Sequence, residues 1–287
     1  MSTKNTNKPY IMIPNAIVRN NGISNISKII YTSLAMGRNI NQTRLYQQTS
    51  IHGLLGMVGY QQRTENQRVF KKGLKELVEL NVISMYLDFA LTKEIRPTEL
   101  KGSTMFFVNF NDEDVYNEDF VNRFHDDEID KELINYGFKY TTVYIEDAVK
   151  LFTIESNHNL TNMLSLYLMT VSRALIGSQG DKYSTETIEN ITHYANINEK
   201  TASSYFTTLF SAKLLYKLTL RQFKKNTDEV RDHNVYSRWC DRHTVIRQLD
   251  SDEWFMKQTL LKIGDQELSD EQREVIKQKA HELNPYQ

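Results

Sequence analysis

The chain has 287 residues, 40% hydrophobic and 25% charged, a balance that marks an ordinary globular protein and excludes disordered and fibrous classes. No apolar run approaches the roughly 20 residues a membrane-spanning helix needs. The start Met1-Ser2-Thr3-Lys4-Asn5 lacks an apolar signal core, and the single cysteine, Cys240, excludes an intrachain disulfide framework. A cytoplasmic protein is expected.

The net charge of −1 hides a segregated distribution. Residues 1–110 carry 14 Lys+Arg against 6 Asp+Glu, and residues 111–155 carry 4 against 13. Residues 156–250 return to 12 against 9, and residues 251–287 carry 5 against 8. Two net basic regions are thus separated by an acidic one, an asymmetry that says more about partners than the total does.

Tyr10-Ile11-Met12-Ile13-Pro14 reads as a short extended segment, because the residue before a proline avoids the helical region. Ser27 is expected to cap a helix that places Ile30, Tyr31, Leu34 and Ala35 on one face. Thr49 to Tyr60 reads as a short second helix weakened by Gly53, Gly56 and Gly59. Those glycines mimic the spacing of a phosphate loop, but no Lys-Ser/Thr follows, which disfavours nucleotide binding. A third helix is expected to start at a Thr64/Gln67 capping box and to bury Phe70, Leu74, Leu77 and Val78.

The opposite face of that third helix carries Arg63, Gln67, Arg68, Lys71, Lys72 and Lys75. Arg and Gln can read base edges in a major groove, and Lys neutralises phosphates. Such a run on an isolated helix is most simply a solvated face; its place as the third helix of a triplet favours DNA. Residues 83–89 alternate with period two and pair in this reading with a return strand over 104–108. The loop between them holds Lys93, Arg96 and Lys101, a cationic wing suited to the DNA backbone or minor groove.

From Asn111 to residue 135 the chain is acidic, and a solvated linker is the expected reading because the calcium-loop spacing is missing. The pattern then begins again. Leu160, Met163, Leu164, Tyr167, Leu168 and Val171 form a strongly apolar helix expected to stop near Gly177. A shorter helix is expected from Ser184, and Asn198 is expected to cap a third that buries Ala202, Phe206, Leu209 and Phe210. Its outward residues are Lys200, Ser203, Ser204 and Thr207, a less basic face on which DNA and protein contact weigh about equally. A second wing is expected over 218–223 and 235–239 with Lys224 and Lys225 at its tip, and Arg238, Arg242 and Arg247 are expected to extend the positive surface. The third helices end alike, in Leu77-Val78-Glu79-Leu80-Asn81-Val82-Ile83 and Leu209-Phe210-Ser211-Ala212-Lys213-Leu214-Leu215, 132 residues apart. Beyond residue 250 a helical hairpin is expected, with a Ser269/Gln272 capping box.

The search for catalytic motifs is negative. No H-x-H, H-E-x-x-H, G-x-S-x-G or Walker sequence occurs, and His233, Cys240 and His243 lack a fourth ligand and a zinc spacing. Neither catalysis nor a cofactor or metal is expected.

The expected fold is therefore α+β, mainly α, with two winged helix-turn-helix domains in tandem over residues 1–110 and 136–250, an acidic linker over 111–135 and a helical tail over 251–287. Ile13-Pro14-Asn15-Ala16, Ser27-Lys28-Ile29-Ile30-Tyr31 and the third helix running into Leu80-Asn81-Val82-Ile83 resemble the amino-terminal winged helix of plasmid replication initiator (Rep) proteins from low-GC Gram-positive bacteria. The tandem arrangement is similar to theta-type initiators. That resemblance implies binding to repeated sites on double-stranded DNA through Arg63, Arg68, Lys71, Lys72, Lys75, Lys200, Ser203, Ser204 and Thr207. It also implies dimerisation through the first module, and the leading reading adds recruitment of a host helicase or initiator protein. A transcriptional regulator, or an accessory protein of replication or conjugation that uses the modules for protein contact, is the competing reading.

Overall fold

The computed structural model describes residues 8–40, 46–111, 140–174, 182–223, 230–251 and 271. Strand β1 (Tyr10–Pro14) leads into α1 (Asn15–Val18), α2 (Asn25–Ile40), β2 (Tyr46–Thr49), α3 (Ile51–Met57), α4 (Thr64–Glu79), β3 (Ile83–Tyr86) and β4 (Phe106–Phe110). Strand β5 (Tyr140–Tyr144) opens the same order again: α5 (Ile145–Phe152), α6 (Leu160–Val171), β6 (Tyr183–Ser184), α7 (Ile188–Ala195), α8 (Glu199–Ser211), β7 (Leu215–Phe223) and β8 (Val230–Arg238). A 3-10 turn, Trp239–Asp241, then leads into α9 (Arg242–Ser251). The architecture is mixed α/β, and the described residues form three small antiparallel sheets, ordered β1-β5, β2-β4-β3 and β6-β8-β7.

The duplication extends to register and backbone conformation. Ser84 pairs with Asn109 and Tyr86 with Phe107, as Tyr216 pairs with Ser237 and Leu218 with Val235. Asn81 and Lys213, the residues that end α4 and α8, both have positive φ, 55° and 53°. Val82 N donates to Leu77 O and Leu214 N to Leu209 O, the six-to-one bond of a Schellman ending. Gly59 (φ 73°) and Asn196 (φ 54°) end α3 and α7 in the same way, so the third glycine of the weakened helix is a stop signal rather than a defect.

The copies share one core. Ile30, Leu34, Leu54, Phe70, Leu74 and Leu77 from the first are in the same apolar cluster as Leu164, Tyr167, Ile191, Ala202 and Leu209 from the second. Each Leu, Ile or Phe among them contributes about 1.5–3 kcal/mol when fully buried. The joint is made by equivalent elements: β1 pairs antiparallel with β5, Tyr10 opposite Tyr144 and Pro14 opposite Tyr140, and α2 packs on α6. Gly73 permits the close crossing of α2 and α4, since a Cβ there would sit 2.6 Å from Ile30 Cδ1.

Several local expectations are corrected. Helix α2 begins at Asn25, because the Ser24 hydroxyl accepts from Ser27 N and the Glu76 carboxylate accepts from Ser24 N, leaving Ser27 inside the helix to donate to Gly73 O. The Thr64/Gln67 capping box does not form: Arg63 is the cap residue and Gln67 Nε2 donates instead to Gln62 O. Ser184 belongs to β6, and Thr187 caps α7 by accepting from Asn190 N. The first hairpin reverses early, at Asp88, whose carboxylate accepts from Thr92 Oγ, Thr92 N and Lys93 N while Leu91 takes φ 55°. Strand β3 therefore stops at Tyr86, and the return strand is 106–110 rather than 104–108. The cap at Asn198 forms, accepting from Lys200 N. Apart from Asn111, the acidic segment 111–135 lies outside the described residues, as do Gly177, Lys224 and Lys225 and, apart from Ser251 and Glu271, the tail.

Candidate nucleic-acid interface

The site grows from α4. Phe70, Gly73, Leu74 and Leu77 are buried, so the opposite face is turned outward with Arg63, Arg68, Lys72 and Lys75 exposed and Gln67 and Lys71 half-buried. Of the three acids on this helix, Glu76 points away to hold Ser24 and Ser27 at the start of α2. Lys75 lies 3.4 Å from Glu79, an exposed pair that leaves the lysine available. The side-chain amides of Asn66 and Gln67 donate to Gln61 O and Gln62 O, which ties the start of the helix to the turn before it.

The cationic loop is braced against this helix. Pro97 and Leu100 are buried, the 3-10 turn Pro97–Glu99 packs on α4, and His52 N donates to Gly102 O at 2.9 Å. A Cβ on Gly102 would meet His52 Nε2 and Gln67 Oε1, so a larger residue there would have to displace the His52 and Gln67 side chains. Arg96 and Lys101 are exposed on this strut, and Lys93 is exposed at the Asp88 turn. Hydrogen bonds, that from Thr92 foremost, hold the Asp88 carboxyl below its ordinary range. His52, Pro97, Leu100 and Gly102 position this surface without being part of it. The only sequence signals for them were Pro97 and Gly102.

On α8, Ala202, Phe206, Leu209 and Phe210 are buried and Lys200, Ser203, Ser204 and Thr207 are exposed, joined by Thr201, which sequence reasoning missed. Several of these hydroxyl protons are already committed: Thr201 donates to Asn198 O, Ser204 to Thr201 O and Thr207 to Ser203 O. What such a face offers outward is lone pairs and methyl groups, suited to amino groups and thymine methyls in a major groove. The α4 face is the opposite, a field of donors. Arg238 does not join the positive surface: it is fully buried, its guanidinium donating to Ala174 O and Thr142 O.

A polar seam joins the two copies. Glu186 meets Arg173 at 2.8 Å and Arg19 at 3.3 Å, with Arg19 and Glu186 both buried. Lys28 Nζ donates to Val18 O at the end of α1 and to Tyr194 O near the end of α7, one carbonyl from each copy. Complete burial pushes the Lys28 ammonium down to about 7, against the pull of Glu76. Desolvation likewise lowers Arg19, partly offset by Glu186.

No protein-family model matches the chain, and no curated protein matches it. The crystal structure of selenomethionine derivatives of domains 2 and 3 of RctB is similar to it, with 11% identity, covering 83% of this chain and 94% of that chain, at a TM-score of 0.34. A likeness at that level assigns neither family nor activity. No helix among the described residues is long and apolar enough to cross a membrane.

Proposed function

We propose that the chain is a sequence-specific, non-enzymatic duplex-DNA-binding initiator of plasmid or mobile-element replication. In this reading residues 1–110 and 136–250 are winged helix-turn-helix modules joined by 111–135, with α4 and α8 as recognition helices and the two hairpins as wings. The supporting observation is the outward face of α4, with Arg63, Arg68, Lys72 and Lys75 exposed and Lys71 half-buried, beside a loop packed on that helix that exposes Arg96 and Lys101. Phosphate contacts need local positive surface rather than net charge. The replication role draws on the resemblance of segments 13–16, 27–31 and 80–83 to plasmid initiators. It carries with it a cytoplasmic location, a homodimer or monomer–dimer equilibrium, and a host helicase or initiator as partner.

The test is to clone the gene with its flanking DNA into a vector that lacks an origin. Replication that needs both the gene and adjacent direct repeats is the expected result. Binding confined to a promoter, with no replication, would replace the initiator with a regulator.

A further inference from the structure

The hydroxyls on the outward face of α8 are turned toward their own backbone. Thr201 Oγ1 donates to Asn198 O at 2.8 Å, Ser204 Oγ to Thr201 O at 2.8 Å and Thr208 Oγ1 to Ser204 O at 3.2 Å. These residues lie at i, i+3 and i+7 and so share one stripe of the helix. Thr201 and Ser204 are exposed and Thr208 is half-buried. A hydroxyl has one proton and two lone pairs. With the proton held by the backbone, the stripe meets a ligand as an acceptor, and turning a hydroxyl outward to donate would give up that bond. Thr201 adds a methyl group. No Asp or Glu occurs from Lys200 to Ser211, so no carboxylate on this face repels phosphate.

In the major groove a G·C pair presents guanine N7 and O6 side by side, two acceptors, whereas an A·T pair presents the adenine N6 amino group and the thymine methyl. Lone pairs facing guanine repel; the same lone pairs facing adenine N6 accept a hydrogen bond. Cytosine N4 also donates, but its pair has no methyl group and keeps guanine O6 alongside. We propose that α8 reads A·T base pairs and rejects G·C pairs, with Thr201 and Ser204 accepting from adenine N6 and the Thr201 methyl packing on the thymine methyl. The two residues stand about 4.5 Å apart along the helix, near the rise of about 3.4 Å between base pairs, so they meet neighbouring pairs. The exposed Arg63 and Arg68 of α4 are pure donors, matched instead to guanine, and give an internal contrast. This inference rests on the DNA-binding reading above and adds the base pairs that α8 accepts.

The test uses the full chain and a duplex that it selects from a random library. Each adenine of that duplex is replaced in turn by 2-aminopurine, which still pairs with thymine but carries its amino group in the minor groove. Each thymine is replaced by uracil, which lacks the methyl group. At the pairs read by α8, each replacement should weaken binding by about 5-fold. Thr201→Val keeps the shape of the side chain and removes its oxygen, so it should erase the 2-aminopurine effect at one pair and leave the uracil effect there. Ser204→Ala should erase the 2-aminopurine effect at a neighbouring pair. Replacement effects that survive unchanged in both variants, or variants whose lost discrimination falls at G·C pairs, would overturn the inference while DNA binding stands. Failure to select any duplex would overturn both this inference and the reading beneath it.

Discussion

The two copies share element order, strand register and left-handed helix endings, yet they differ on the outer surface of the sheet and on the outward faces of α4 and α8. In the second copy the outer sheet surface, Tyr183, Tyr216, Leu218 and Val235, is roofed by Val245 and Leu249 of α9 with Trp239, forming a second apolar cluster. The corresponding positions of the first copy, Tyr46, Tyr86 and Phe107, have no helix over them among the described residues, and Phe89 lies against Tyr46 and Phe107 while 69% exposed. The outward helix faces diverge as well, charged donors on α4 against back-bonded hydroxyls on α8. A shared scaffold fixes where two helices stand, while their outward residues stay free to diverge, because outward residues contribute little to folding.

The comparison can be broken first at the seam that joins the copies. Glu186→Gln should cost about 3–5 kcal/mol, because it strips the buried Arg19 of its counter-charge. Denaturant unfolding measures the loss, and a cost below about 1 kcal/mol would mean that the seam is solvated and the copies hold together without it. Next comes the roof. Leu249→Ala should lose about 2–5 kcal/mol in the same assay, whereas Phe89→Ala, at the open face of the first copy, should lose under about 1 kcal/mol. Equal losses would show that the two sheet faces are covered alike.

A smaller effect separates the seam from both faces by its pH dependence. Lys28 has its proton affinity lowered from 10.5 to about 7 by burial. Between those values the unfolded chain binds a proton that the folded chain does not, so this group makes stability rise with pH from about 7 toward 10. Lys28→Met should flatten that rise between pH 7 and 9.5 in thermal unfolding; an unchanged pH profile would show that Lys28 keeps its charge when buried.

Much of the fold was legible because it is local. The stripe Phe70, Leu74, Leu77 and the matching helix endings encode helix, burial and duplication within a few turns. The joint was not legible, since the pairing of Tyr10 with Tyr144 brings together residues far apart in the chain, and period-two alternation names no partner. The outward placement read for Arg68 and Lys72 matches their exposure, whereas that read for Arg238 fails, because backbone carbonyls converge around it only in the fold. Ser184 misled for a related reason: a two-residue strand has no periodicity, and β6 exists because β8 offers it a partner.

The central claim is that two like-folded helices present unlike faces to DNA, one electrostatic and one not. It is tested most directly by the salt dependence of duplex binding, followed by fluorescence anisotropy from about 50 to 200 mM salt. Lys71→Ala, Lys72→Ala and Lys75→Ala together should lower the log–log slope by about 3, one for each phosphate that is no longer neutralised. Thr201→Ala with Ser204→Ala should leave that slope unchanged while altering the preferred sequence. An unchanged slope in the lysine variant, or an equal fall in slope in both variants, would contradict the account.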